Sequence, residues 1–239
     1  MRITCLGSSS DGNCYILRTD AGTLVVEAGI PFHSVCKALD FDLSRVRGCV
    51  VSHSHGDHAA HVRKFLEYGI HVLAPEDVFT RQNIKNRAFC TPAVALRGYG
   101  MGGYKIRPFP LVHDVPCFGY IIDSAETRTV FITDTREIRY EIPPHDILMI
   151  EANFDDDILC RNIEDGTKPA AMRRRLCASH MEIATLKDIL RRADLSRTRQ
   201  IMLLHTSGSN GDADKFTEEI RAVAGVPVMA ARQGSIYEL

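Results

Sequence analysis

Three histidines and a carboxylate stand within six residues of one another after a short apolar stretch, in the segment 53–58, His-Ser-His-Gly-Asp-His. Alternate side chains of an extended segment point the same way, so His53 and His55 can converge on one ion. Asp57 and His58 come at the turn into a helical pattern and can reach a second point nearby. Imidazole and carboxylate groups are typical ligands of zinc and its neighbours, and the segment therefore predicts a metal site rather than a solvated polar loop.

The pattern around this segment indicates a loop between a strand and a helix. Apolar residues predict a strand at 46–51, and apolar spacing typical of a helix follows at 59–68. Rigid elements on both sides can hold the side chains of the loop at one point. The loop is therefore a suitable place for metal ligands.

Three more residues that can bind a metal each come directly after a predicted apolar strand. They are His113, Asp134 and His205. Each of them alone is more typical of a turn or a cap. Because all three repeat the position of the first cluster, we interpret them as parts of one shared site.

Strands, then helices, then strands again follow along the chain, without an internal repeat or a low-complexity linker. This order predicts two sheets faced by helices in one α/β domain over residues 1–239. The predicted strands lie at 3–6, 14–19, 23–27, 46–51, 71–74, 104–111, 118–122, 129–133, 147–151 and 201–204, with a closing pair at 226–230 and 235–238, and the predicted helices lie at 32–39, 59–68, 155–162, 169–177, 182–192 and 212–224.

Composition excludes several classes of protein. Of the 239 residues 45% are apolar and 25% charged, as in soluble globular proteins. No apolar run approaches the ~18–20 residues that cross a bilayer, and the opening residues read as a strand, so we expect a cytoplasmic protein without a membrane partner. The eight scattered cysteines indicate buried free thiols. A net charge of −1 gives no general attraction for nucleic acid, so a polyanionic partner must be held by a local patch and the metals.

The order of the candidate ligands resembles that of the metallo-β-lactamase superfamily, in which His-x-His-x-Asp-His precedes a lone His, a lone Asp and a last His at strand ends. The resemblance covers nearly the whole chain. It implies a four-layer αβ/βα sandwich with metals at one edge. It also implies the ligands: His53, His55 and His113 for the first metal, Asp57, His58 and His205 for the second, and Asp134 as a bridge between both.

Other motifs resemble the YycJ (WalJ)-type branch, whose members are small, single-domain and nuclease-like. In three places the sequence departs from the usual pattern, one of them being His61, which stands where a small residue is common and is interpreted as a surface helix residue. Glu27 stands where aspartate is usual, so its contact with the metal loop is expected to shift, and the segment 179–182 keeps only its histidine from the usual Gly-His-Leu-Ser. The matching motifs are Gly7 to Asn13, His113-Asp114 before Phe118-Gly119-Tyr120, Ile150 to Asp155, and His205-Thr206-Ser207 with Asn210.

The leading interpretation of these residues is hydrolysis of a phosphodiester. Two cations ~3.5–4 Å apart hold a hydroxide between them and stabilise charge on both the attacking and the leaving oxygen. The predicted activity is therefore that of a nuclease or other phosphodiesterase acting on DNA or RNA, and its predicted catalytic residues are Asp57 and His180. His180 would bind a phosphate oxygen or protonate the leaving group. An equally supported interpretation makes His180 only the N-terminal residue of the helix that follows it.

The sequence allows several interpretations of the substrate-binding residues, the identity of the metal and the reaction. Ser207, Asn210 and Arg174 are the predicted substrate-binding residues. Arg174 belongs to the run 173–175, which can clamp a backbone phosphate, although three such arginines more commonly form a solvated helix face. Two divalent ions are expected, and His and Asp ligands suit zinc first, with manganese or iron as alternatives. The same metals could hydrolyse thioesters, lactones or other acyl compounds; a non-catalytic binding protein and a di-iron redox protein are less well supported.

Overall fold

Two mixed sheets form the centre of the molecule. The computed structural model describes residues 1–239. None of its helices combines the length and the apolar character that a membrane-spanning segment needs. In chain order the strands are β1 (Arg2–Ser9), β2 (Gly12–Thr19), β3 (Gly22–Val26), β4 (Val46–Val50), β5 (Val72–Ala74), β6 (Cys90–Pro92), β7 (Tyr99–Met101), β8 (Tyr104–Pro110), β9 (Phe118–Asp123), β10 (Arg128–Ile132), β11 (Ile147–Glu151), β12 (Gln200–Leu204), β13 (Val228–Ala230) and β14 (Ile236–Glu238), and the helices are α1 (Phe32–Ala38), α2 (Gly56–Ala59), α3 (Val62–Glu67), α4 (Glu76–Arg81), α5 (Asp156–Glu164), α6 (Ala171–Ser179), α7 (Ile183–Arg192) and α8 (Ala213–Ala224).

Each sheet has seven strands and combines an antiparallel half with a parallel half. The first sheet has the order β14-β1-β2-β3-β4-β5-β6, and the second has the order β13-β12-β11-β10-β9-β8-β7. Strands β3 to β6 are parallel neighbours in the first sheet, as are β10 to β13 in the second. Parallel neighbours need long crossover connections. The candidate functional residues lie at the carboxyl ends of β4, β10, β11 and β12, where the crossover connections begin.

Apolar side chains fill three spaces between four layers. One cluster, which includes Phe65, lies between the first sheet and helices α1 to α4. A second lies between the two sheets, where the rings of Tyr15 and Phe131 meet edge to face at 5.8 Å. A third, with Leu186 and Phe216, lies between the second sheet and helices α7 and α8. The layers run helix, sheet, sheet, helix, and the predicted αβ/βα sandwich is therefore confirmed.

Three details of the fold differ from the sequence prediction. The expected closing pair is wrong, because β14 joins β1 in the first sheet whereas β13 lies beside β12 in the second. The sequence does not predict β6 and β7, which have only three residues each and contain Pro92 and Gly100. The helix expected at 59–68 is divided into α2 and α3 by residues 60–61. Short edge strands form because of the strands beside which they pack, and the local sequence pattern does not reveal those partners.

All eight cysteines are free, and five of them are buried. The exceptions are Cys90 and Cys160, which are half-buried, and Cys177, which is exposed. The prediction of free thiols is therefore confirmed, and their burial is confirmed for most of them.

Candidate metal centre and active site

Seven side chains from separate parts of the chain meet at the ends of strands from both sheets. The loop after β4 brings four of them, and the residues after β8, β10 and β12 bring one each. The structure thus places all the predicted ligand residues together. They are His53, His55, Asp57, His58, His113, Asp134 and His205.

The first donor group consists of ring nitrogens that lie close together. Nε2 of His53 is 3.1 Å from Nδ1 of His55, and Nε2 of His113 is 3.2 Å from the same atom. Ligand atoms around a tetrahedral zinc ion, at about 2.0–2.1 Å from the metal, are about 3.3 Å apart. The spacing of these nitrogens therefore suits three corners of a metal site.

Contacts behind these rings orient their nitrogens. Nδ1 of His113 is 2.9 Å from the carbonyl oxygen of Ser179, which can only accept, so Nδ1 carries the hydrogen and Nε2 keeps its lone pair. Nε2 of His55 is 3.4 Å from a carboxylate oxygen of Asp114, which favours a hydrogen there and leaves Nδ1 for the donor group. Such support is characteristic of histidines that bind metals.

The second donor group combines two imidazoles with two carboxylates. Nε2 of His58 is 3.2 Å from Oδ2 of Asp57, and Nε2 of His205 is 3.4 Å from that oxygen. Asp134 lies between the two groups. Its Oδ1 is 3.4 Å from Nε2 of His58, whereas its Oδ2 is 3.8 Å from Nε2 of His53. One carboxylate thus presents a different oxygen to each group.

The backbone at two of these ligands is strained. Asp134 has a φ of 43° and His205 a φ of 52°, in the left-handed region that residues other than glycine rarely adopt. Such conformations cost about 1–3 kcal/mol each and persist where surrounding contacts hold them. The hydroxyl of Ser8 accepts a hydrogen bond from the His205 backbone N–H at 2.9 Å. The strain directs both side chains into the site.

The protonation states show an excess of buried negative charge. Burial lowers the pKa of His53 and His113, so both are neutral. Burial raises the pKa of Asp57, but hydrogen bonds from His205 and His58 outweigh this and hold it well below its usual range. Burial likewise lowers the pKa of His205, but neighbouring carboxylates, Asp134 foremost, raise it to about 10. Cations would replace the protons that these carboxylates attract, so the donor set fits divalent metal ions.

Glu27 is fully buried beneath the metal loop. Its two carboxylate oxygens accept hydrogen bonds from the backbone N–H of Ser52 at 3.2 and 3.3 Å, and Oε2 is 3.5 Å from Nδ1 of His58. Burial raises the pKa of Glu27, and the neighbouring His58 partly offsets this rise. The longer side chain therefore supports His58 from behind, in the position where the resemblance implies an aspartate.

Glu27→Gln is expected to weaken binding of one of two cations by about 10–100-fold, because the amide orients His58 without a charge. Competition with a chromophoric chelator measures this affinity. Asp146→Asn is a suitable control, since Asp146 is also a buried carboxylate but pairs with Arg197 and the backbone of Arg128 away from the site. Equal affinity in Glu27→Gln and the native protein would contradict the supporting role of Glu27.

Glu151 joins three parts of the site, and no role for it is predicted from the sequence. It is fully buried at the end of β11. Its Oε1 is 2.7 Å from Nδ1 of His180 and 3.3 Å from Nδ1 of His205, and its Oε2 accepts from the backbone N–H of Met181 at 3.1 Å. Burial raises the pKa of Glu151, but His180 and His205 bring it below its usual value. The available signal was its position directly at the end of an apolar strand, like that of Asp134.

His180 lies between α6 and α7, inside the site. Its ring stacks on that of His205 with centroids 5.4 Å apart and an angle of 16°. Burial lowers the pKa of His180, but Glu151 raises it above the usual value. The interpretation of His180 as the N-terminal residue of α7 is wrong, because the side chain of Glu182 caps that helix by accepting from the backbone N–H of Thr185.

A cavity of about 320 Å³ opens above the donor groups. Of the predicted substrate-binding residues, Ser207 and Asn210 belong to its lining, whereas Arg174 is exposed outside it and Arg175 takes its place. Asn210 is buried, and its amide accepts from Asn162 at 3.0 Å, which holds the loop after β12. The lining consists of Ser10, His55, Asp57, His113, Asp114, Asp134, Asn153, Met172, Arg175, Leu176, Ser179, His180, His205, Ser207, Ser209 and Asn210.

This sandwich, with a His-x-His-x-Asp-His loop and lone His, Asp and His ligands at strand ends, is that of the metal-dependent hydrolases of the metallo-β-lactamase fold. A model of the β-lactamase superfamily domain matches residues 19–206, and the chain belongs to this superfamily.

Known proteins resemble the chain over most of its length. Exodeoxyribonuclease YycJ of Bacillus anthracis is 24% identical in an alignment over 226 residues that covers 88% of this chain and 84% of that protein. The metallo-β-lactamase fold protein YhfI from Bacillus subtilis has a TM-score of 0.76 and 19% identity, covering 100% of this chain and 99% of that one. Zn²⁺-bound PqqB from Methylobacterium extorquens has a TM-score of 0.75 and 13% identity, with 100% of each chain covered. The two structures confirm the fold, and the first relative agrees with the branch resemblance.

Proposed function

We propose that this hydrolase is a dinuclear phosphodiesterase that acts on DNA or RNA. The position of Asp134 carries the proposal. Its two oxygens face different donor groups, 3.8 Å from His53 and 3.4 Å from His58, and this arrangement suits a carboxylate that bridges two cations. Paired cations suit a phosphodiester, whose attacking and leaving oxygens both gain charge.

The remaining ligands divide between the two cations. His53, His55 and His113 would hold the first, and Asp57, His58 and His205 would hold the second. When bound, the ions supply Lewis acidity and a nucleophilic water at neutral pH. Zinc suits this donor set first, and manganese or iron also fits it.

His180 supplies a proton to the leaving group, and Glu151 orients its ring. The Nδ1–H of His180 donates to Oε1 of Glu151 at 2.7 Å, which leaves Nε2 as the ring nitrogen available to the cavity. A protonated imidazole at that place can donate to a leaving alkoxide, the kind of proton transfer for which histidine is suited. Asp57 acts as a ligand that also orients the attacking water.

The similarity to an exodeoxyribonuclease supports a nucleic-acid substrate. Elemental analysis of the purified protein, combined with a panel of single- and double-stranded DNA, RNA, a thioester and a lactone, tests the proposal. We expect two divalent ions per chain and cleavage of at least one nucleic acid, abolished by chelation and restored by metal. Turnover of the acyl compounds alone would replace this function with an acyl hydrolase.

A further inference from the structure

The cavity lining contains one side chain that is permanently positive, that of Arg175. Around it stand neutral hydroxyls and amides, and the carboxylates Asp57, Asp114 and Asp134 lie toward the donor groups. A guanidinium next to an otherwise uncharged wall is well suited to an anionic part of the substrate, because it can form two parallel hydrogen bonds to phosphate oxygens.

Three consecutive arginines of α6 have three different environments. Arg173 is bound by both oxygens of Asp156, at 2.8 and 2.7 Å, and links α6 to α5. Arg174 is exposed outside the cavity. Arg175 is exposed as well, but it lines the cavity, and its side chain has neither a hydrogen bond nor an ion pair within the protein. Arg175 is therefore the one arginine of the run that both lines the cavity and has no partner within the protein.

Helix α6 holds Arg175 at a defined distance from the metal ligands. The hydroxyl of Ser179 donates to the carbonyl oxygen of Arg175 at 2.8 Å, and the carbonyl oxygen of Ser179 in turn accepts from His113. Arg175 thus stands four residues, about 6 Å along the helix axis, before the residue that contacts the first donor group. Helical side chains lean toward the N-terminus, so the guanidinium lies still farther out.

This distance separates Arg175 from the scissile phosphate. That phosphate would lie at the donor groups around Asp134. Successive phosphates of one strand of a duplex advance about 3.4 Å along its axis, so a phosphate next to the scissile one can lie in the region of α6. The hydroxyls of Ser207 and Ser209 line the same cavity and can donate to it.

We infer that Arg175 binds a second phosphate of the substrate, adjacent to the one that is cleaved, so that the site selects strands carrying several phosphates over isolated phosphodiesters. The inference rests on the proposed function. It assigns α6 the role of a backbone-binding element.

Kinetics of Arg175→Ala on a thymidine oligonucleotide and on the dinucleoside monophosphate TpT test the inference, because both substrates have the same leaving group. We expect kcat/KM for the oligonucleotide to fall about tenfold or more, mainly through KM, and kcat/KM for TpT to stay within about twofold. Arg174→Ala is the matched control and leaves both values unchanged, and Arg175→Lys restores part of the loss. Equal losses on both substrates, or none on the oligonucleotide, would overturn the inference.

Binding separates this inference from the proposed function. With the protein as isolated, anisotropy of a labelled phosphorothioate oligonucleotide, which resists hydrolysis, gives an affinity at several salt concentrations. The slope of log K against log salt is negative, and loss of one phosphate contact in Arg175→Ala should make it less steep by about 0.7. Arg174→Ala should leave the slope unchanged. If this change in slope is found but the native protein hydrolyses none of the substrates, phosphate binding by Arg175 is supported and the phosphodiesterase activity is refuted. An unchanged slope, or no binding by the native protein, would remove the subsite.

Discussion

Asp134→Ala is expected to lose metal and activity together. Asp134 is buried and contributes an oxygen to each donor group. Without it, no carboxylate lies between the two groups of ligands. The repulsion between two cations bound there would then be uncompensated. We expect metal content to fall from two ions per chain to one or none, and hydrolysis to fall by about 10³-fold or more. Elemental analysis and steady-state kinetics on the same sample measure both.

Thermal unfolding provides an independent measure of this loss. Cations that bind only the folded state stabilise it by about 2.7 kcal/mol each at a hundred times Kd, so EDTA should lower the unfolding midpoint of the native protein. The midpoint of Asp134→Ala should respond less to EDTA than that of the native protein, and not at all if both ions are lost. Asp146→Asn again serves as the control, since it removes a buried carboxylate while leaving the EDTA response intact. Full metal occupancy in Asp134→Ala would rule out the bridging role.

The positions of the seven candidate ligands could be predicted because the residues next to each of them in the sequence indicate its place in the fold. A polar residue directly after a buried strand is a local signal, and ends of parallel strands meet at one edge of a sheet. Glu151 gives the same signal, yet its role depends on strand order. β11 lies between β10 and β12, so its last residue stands between Asp134 and His205. Strand order is set by tertiary packing, which the local pattern does not contain.

The run of arginines shows a similar limit within a helix. Consecutive helical residues point about 100° apart, so the three arginines cannot all line the cavity. Leu176 packs on Phe154 and Leu159, and this small apolar cluster sets the rotation of α6. With Leu176 turned inward, Arg175 lines the cavity and Arg174 does not. The sequence predicts that an arginine of this run binds the substrate, but the rotation of the helix decides which of them lies beside the cavity.

His180→Ala is expected to keep both metals but to slow cleavage of TpT by about 10²-fold or more. His180 is held by Glu151 at 2.7 Å and is not needed to close either donor group of His and Asp ligands. Its removal takes away the proposed proton donor while leaving the cations in place. The loss should therefore appear in kcat, with metal content unchanged by elemental analysis.

The leaving group decides which role His180 has. The nucleoside alkoxide released from TpT needs a proton, whereas p-nitrophenolate leaves readily without one. If His180 is the general acid, His180→Ala should cleave bis(p-nitrophenyl) phosphate at a rate within about tenfold of the native protein despite the large loss on TpT. Equal losses on both substrates would indicate that His180 orients the phosphate instead. Unchanged turnover of TpT would exclude His180 from the reaction, and the contact with Glu151 would then serve only to hold His205 in place.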